Sequence, residues 1–168
     1  SGKFSQGGST ITQQLARNAF LTPEKTVVRK IKELIVAMEL EKQYSKNEVL
    51  NLYLNQIPYG GNAYGIEAAA QTFFNKRAKD LNLAESALLA SLPRATSYYS
   101  PWGKHLDELM KRKNLALEKM SELKYITEKE KEAAKKFPLD FASQVIGIRA
   151  PHFVLGIQDY LNQKYGED

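Results

Sequence analysis

The chain has 168 residues, a formal net charge of +5, no cysteine, and two histidines far apart in sequence, His105 and His152. That length suits one domain with its own core. The absence of thiols excludes a disulfide framework and a thiolate metal site, and two distant histidines argue against a His-based metal centre. The basic excess suits an anionic partner, whether phosphate, nucleic acid or a membrane surface, without choosing among them. No apolar run approaches the ~20 residues that span a bilayer. Residues 1–6 read as the interior of a longer chain and not as a signal peptide.

Helix signals dominate the chain from its start. Ser9 and Thr10 follow Gly7-Gly8 and cap a first predicted helix running to about Phe20. Thr22-Pro23-Glu24 is a second start, with a capping threonine, a proline at the first helical position and an acid near the positive end of the dipole. It opens a helix over about 23–42, along which Val27, Val28, Ile31, Leu34, Ile35 and Met38 recur on one face. Ser45 with Glu48, Asn82 with Glu85 in a looser form, and Thr127 with Glu130 are capping boxes, each opening a further helix. Between them, Ala63 to Phe74 is alanine-rich and reads as a buried helix, Leu83 to Leu92 as another stopped by Pro93, and Leu106 to Leu123 as a long amphipathic one. Strand-like patches are short, so the expected fold class is all-α. The globular domain is expected over residues 1–136. Residues 137–168, with Phe137-Pro138, Gly147 and Ala150-Pro151, read as a linker followed by a terminal helix over about Phe153 to Tyr165.

Three segments could carry chemistry. In Gly7 to Asn18, two glycines and a helix start offer free N–H groups to an anion or a sugar oxygen, and Thr10, Gln14, Arg17 and Asn18 share one face. An ordinary capped surface helix explains the same pattern. In the next helix, Lys25, Arg29 and Lys32 fall on one face opposite Val28, Ile31 and Ile35, with Lys30 and Glu33 beside them. Such a group could hold a diphosphate, with Glu33 in an electrostatic or positioning role, or could be a solvated charged face. The third segment, Asn55 to Glu67, reads as a helix end, a glycine turn and a new helix start. Tyr98, Tyr99 and Trp102 could stack on a sugar or close the edge of the domain.

Taken together these segments resemble glycosyltransferase family 51, the transglycosylase module of class A penicillin-binding proteins and of monofunctional peptidoglycan glycosyltransferases. Gly7 to Asn18 is similar to the family's second motif. Arg29-Lys30-Ile31-Lys32-Glu33 resembles the start of the third, which continues through Tyr44 to Glu48 and Leu52 to Asn55. Ala63 to Ala70 with Leu83-Ala84-Glu85 and Leu92-Pro93 resembles the fourth, and Arg112 to Met120 the fifth. Several long motifs in order are more specific than one short pattern. Ala150 to Val154 is similar to the linker that leads to a transpeptidase domain, which favours a bifunctional parent.

The resemblance implies a lysozyme-like helical domain that polymerises lipid II into glycan strands and releases undecaprenyl diphosphate. Arg17, Lys25 and Arg29, with Lys30 nearby, match the positions that hold the diphosphate; Ser9, Thr10 and Gln14 match positions on the donor sugars. Glu33 matches the family's second essential glutamate, and Asn18 and Arg112 match supporting positions. Implied partners are lipid II, the growing lipid-linked glycan, moenomycin as inhibitor, and the outer face of the bacterial cytoplasmic membrane, with no nucleic acid. No cofactor is required; a divalent cation (Mg or Mn), where one binds, would ride on the substrate diphosphate. The family's first motif, an acid followed by phenylalanine and histidine, has no counterpart in the six residues before Gly7. The chain is therefore expected to lack the general base, to be truncated at its N-terminal side and to be inactive alone. The rival readings are a lytic transglycosylase, which needs an acid in an apolar pocket and not a cation cluster, and a non-catalytic module that binds lipid-linked glycan.

Overall fold

The computed structural model describes residues 9–20 and 26–144. Seven α-helices make up most of this part: α1 (Ile11–Phe20), α2 (Val27–Gln43), α3 (Lys46–Gln56), α4 (Ile66–Phe74), α5 (Leu83–Ser91), α6 (Leu106–Glu122) and α7 (Glu128–Lys136). A two-stranded antiparallel hairpin, β1 (Pro58–Gly60) and β2 (Ala63–Tyr64), joins α3 to α4. The all-α expectation holds for the described residues. Ala63 and Tyr64, expected in the alanine-rich helix, belong to this hairpin instead.

Local chemistry sets most of the helix starts. The Thr10 hydroxyl accepts from Gln13 N at 3.1 Å ahead of α1. Ser45 with Glu48, Asn82 with Glu85 and Thr127 with Glu130 form reciprocal boxes in which each partner satisfies the other's backbone N–H. At α2 the observed cap is Thr26, whose hydroxyl accepts from Arg29 N at 3.1 Å. The start expected at Thr22-Pro23-Glu24 lies outside the described residues, as do Gly7, Gly8, Lys25 and the expected terminal helix. Pro93, expected to stop α5, sits in a single tight turn over Leu92–Arg94 that continues from it.

The core has three connected parts. Leu15 and Ala16 of α1 pack with Leu40 of α2 and Val49 of α3. The largest cluster joins the hairpin to α4, α5 and α6 through Ile57, Tyr59, Phe73, Leu88, Leu89, Leu92 and Leu109. Ala84, Ala87, Leu117 and Ala134 close α5, α6 and α7 on one another. Lys113, fully buried on α6, donates to the carbonyls of Ala134 and Lys135 at 3.4 and 3.2 Å and so satisfies the C-terminal end of α7. Burial lowers its pKa from the usual lysine value.

The apolar stripe of α2 does not face this core. Val28, Ile31, Leu34, Ile35 and Met38 are all at least half exposed, while Glu33, Ala37 and Leu40 are buried. The reason is that α1 and α3 dock on the other side of the helix, where Ala37 is small and Glu33 has charged partners. Part of the segment expected to be a linker packs on the core. Leu139 and Phe141 pack against the large cluster, Ala142 N donates to Phe73 O at 2.9 Å, and Trp102 Nε1 donates to Ala142 O at 2.8 Å. Residues 139–142 thus form a strap across the edge of the core.

Gly65 is the tightest backbone position. Its φ is +82°, and a Cβ built there would lie 2.6 Å from Asn55 O. Gly65→Ala meets both a disfavoured φ and a backbone clash, so it should cost about 2 kcal/mol or more of stability. Urea unfolding of the variant against the parent chain measures the loss.

Candidate active site

Glu33 is the centre from which the site is built. It lies on the inward face of α2 and is 1% exposed. Lys30, one turn earlier, donates from Nζ to Glu33 Oε2 at 2.8 Å and to Ser9 Oγ at 2.9 Å. Arg29 Nε stands 3.3 Å from Glu33 Oε1. That oxygen accepts no hydrogen bond among the described residues, so the contact with Arg29 is one of charge alone. The cluster continues into the next helices: Gln14 Nε2 donates to Ser9 O at 3.2 Å, and Tyr53 OH on α3 donates to Gln14 Oε1 at 3.2 Å. Burial raises the Tyr53 pKa, partly offset by the Arg17 charge, which keeps the phenol a donor. A continuous polar chain therefore runs from Arg29 through Glu33, Lys30, Ser9 and Gln14 to Tyr53.

Beside this chain is an open groove of about 390 Å³. Gln14, Arg17 and Asn18 line it from α1, Tyr53, Ile57 and Pro58 from the end of α3 and the hairpin, and residues 93–98 from the segment after α5. No α2 residue lines it; α2 meets the groove only through the Lys30–Ser9–Gln14 contacts. Among the described residues the groove is bordered by α1, the end of α3 with the hairpin, and the 93–98 segment. Arg17 and Arg94 both line the groove, and neither has an ion-pair partner among the described residues. No carboxylate is among the lining residues. The described residues also hold no cluster of three His, Cys, Asp or Glu side chains that could take a metal.

The residues singled out from sequence separate into groups. Ser9, Gln14, Arg29, Lys30 and Glu33 come together in the polar chain, and Arg17 and Asn18 join Gln14 on the groove. Thr10 is placed differently, its hydroxyl being used as the cap of α1. Arg112 stands apart, its guanidinium 5.2 Å from the centre of the Tyr99 ring. Lys25 lies outside the described residues. Sequence reasoning gave no role to Tyr53 or Arg94. Tyr53 stood in a quoted motif, and Arg94 follows a helix-stopping proline, but neither signal says which groove the side chain reaches.

The sequence model of the transglycosylase family matches residues 1–121. The chain belongs to the transglycosylase family. It is 45% identical to penicillin-binding protein 1A of Aquifex aeolicus over 99% of its length, and 44% identical to that of Vibrio cholerae over 100%. It spans 23% and 20% of those two relatives. Among solved structures, the crystal structure of penicillin-binding protein 1A from Haemophilus influenzae is similar, with a TM-score of 0.58 and 36% identity. That match covers 77% of this chain and 19% of the other. The family match includes the polar chain, the groove and most of α6, so both functional features lie within the transglycosylase domain.

Lys30 is the only residue of the polar chain that bridges α2 to Ser9 in the described contacts. Lys30→Met keeps the length of the side chain and removes both hydrogen bonds. Glu33 would keep only its charge contact with Arg29. Because Lys30 is half exposed, the stability loss should be about 1–2 kcal/mol and not the larger value of a fully buried pair. Urea unfolding measures it; unchanged stability would show that this bridge does not hold the two helices.

Proposed function

We propose that this transglycosylase domain is a peptidoglycan glycosyltransferase that joins lipid II units into glycan strands at the outer face of the bacterial cytoplasmic membrane, with release of undecaprenyl diphosphate. The observation that carries this reading is the buried Glu33, held between Arg29 and Lys30 and linked through Ser9 and Gln14 to a groove with two uncompensated arginines. A leaving diphosphate gains negative charge as the glycosidic bond to it breaks, and fixed cations near it lower the barrier. Arg17, Arg29 and Lys30, with Lys25, are assigned to that charge. Glu33 orients the two cations beside it. Ser9 and Gln14 would meet sugar oxygens, since both already present polar atoms next to the groove.

The acceptor hydroxyl needs a base on the face away from the leaving group. Because no carboxylate is among the described lining residues, the base is assigned to a position outside them. A divalent cation, where present, would be held by the substrate diphosphate. A glycan-cleaving reading is less well supported, because it requires an acid in apolar surroundings and Glu33 sits against two cations. No described helix is long and apolar enough to cross a membrane, so contact with the bilayer would be made by exposed apolar and basic side chains or by other parts of the protein.

Two experiments test this. In the full-length protein, Glu33→Gln should reduce glycan polymerisation from labelled lipid II by about 10²-fold or more while the protein still folds. Near-normal polymer on a gel would leave Glu33 a structural residue. Arg17→Ala, Arg29→Ala and Lys25→Ala should each weaken moenomycin binding about tenfold, as expected for loss of one charge-assisted hydrogen bond. Calorimetric titration decides it, and unchanged affinity in all three variants would move the diphosphate site elsewhere.

A further inference from the structure

We propose that Tyr98 is a carbohydrate-stacking platform that binds one pyranose ring of the glycan occupying the groove. The inference rests on the glycosyltransferase reading above and adds a sugar subsite to it.

The start of α6 builds the platform. His105, Glu108 and Arg112 are spaced by three and four residues, so they share one face. All three meet the 98–99 segment. The His105 ring stacks on Tyr98 with centroids 3.8 Å apart and planes 16° from parallel. Tyr98 OH donates to Glu108 Oε1 at 2.9 Å, and His105 Nδ1 is 3.5 Å from that same oxygen. Tyr99 meets Tyr98 at right angles, 5.1 Å between centroids, and Arg112 lies over the Tyr99 ring.

These contacts fix Tyr98 without burying it. The residue remains 41% exposed and lines the groove. Holding a side chain in one rotamer has an entropic cost, which the His105 stack and the hydrogen bond to Glu108 offset before any ligand arrives. A ring ordered in advance is what a ligand needs, because less freedom is then lost on binding. The other two candidate aromatics are used differently. Trp102 packs on Phe73, its Nε1–H held by Ala142 O, and Tyr99 is covered by Arg112; neither lines the groove. The axial C–H bonds of a pyranose carry a small positive charge and fit the electron-rich face of a phenol ring. Arg17 and Arg94 provide the groove with charge, and Tyr98 provides a flat neutral surface, which matches a ligand made of neutral sugars and an anionic end.

The test uses the full-length protein and two probes, a soluble tetramer of N-acetylglucosamine followed by NMR titration and labelled lipid II followed by steady-state kinetics. Tyr98→Ala should weaken tetramer binding about tenfold and raise KM for lipid II by a similar factor, with kcat within about twofold. Tyr98→Phe keeps the ring and its stack on His105 and loses only the tether to Glu108, so it should lose clearly less than Tyr98→Ala on both probes. Tyr98→Leu, a variant of similar bulk, should behave as Tyr98→Ala does and guards against a folding defect in the smaller residue. The proposal is overturned if Tyr98→Ala and Tyr98→Leu bind the tetramer as the parent does, if the parent does not bind it, or if Tyr98→Phe is as impaired as Tyr98→Ala. That last result would make the hydroxyl tether, and not the ring, the important group. A parent protein that binds the tetramer through Tyr98 but makes no polymer would refute the glycosyltransferase reading and leave the subsite standing.

Discussion

A carboxylate on the inward face of a helix is the constraint on which this structure turns. Glu33 is as deeply buried as the leucines around it, and a lone ionised group in that position would carry a desolvation cost of several kcal/mol. Lys30 and Arg29 offset that cost from the same helix, and Lys30 extends the compensation to Ser9, 21 residues earlier. One nitrogen thus ties α2 to the segment that leads into α1. The orientation of α2 follows from it. With the Glu33 face turned inward, its apolar stripe from Val28 to Met38 must turn outward, against the usual rule for an amphipathic helix. Among the described residues a paired charge is buried on this helix while five large apolar side chains stay exposed.

The remaining elements serve to bring a second set of groups to the same place. The hairpin after α3 requires positive φ at Gly60, Gly61, Asn62 and Gly65, and this tight path returns the chain beneath the 93–98 segment. A Cβ at Gly60 would stand 2.9 Å from Thr96 O, so hairpin and groove wall approach as closely as a glycine allows. Tyr53, two turns before the hairpin's far end, is placed by α3 to reach Gln14 on α1. Farther along the chain, Glu85 is buried within its capping box and also accepts from Lys76 at 2.6 Å, which joins α5 to the end of α4. Buried carboxylates with built-in partners recur in this fold, and Glu33 differs from Glu85 in being linked, through Lys30, Ser9 and Gln14, to a residue that lines the groove.

Legibility of these features in the sequence depended on how far apart the partners are. The boxes at Ser45, Asn82 and Thr127 involve residues three apart, so composition alone exposes them, and the one read as looser is a full reciprocal box. Arg29, Lys30 and Glu33 are equally local, so their spacing alone brings them together, whereas Lys32 of the same expected group stays exposed and Lys25 lies outside the described residues. The burial of Glu33 was not legible, because it depends on Ser9 and on which side α1 and α3 dock. Periodicity even pointed the other way, since it assumes that the apolar face is the inner one. The groove wall from Pro93 to Ser97 is not legible for the same reason: it meets α1 only after the chain has folded through four further helices and a hairpin. The motifs identified the participants, and only the tertiary contacts assigned them to the groove, the cap or the supporting ridge.

The strap from Leu139 to Ala142 has a consequence for how this domain assembles. The α-helices form on contacts a few residues apart, whereas the bond from Trp102 to Ala142 joins residues 40 apart and the one from Ala142 to Phe73 spans more. Closing such loops sets chain entropy against a small gain, here two hydrogen bonds and the packing of Leu139 and Phe141. The strap is thus a long-range contact laid over a set of local ones, which raises the contact order of the domain. Its opening would free Trp102, four residues beyond the tyrosine on the groove, while leaving every helix intact. The edge that adjoins the groove is thus closed by a separate long-range contact and not by the helices themselves.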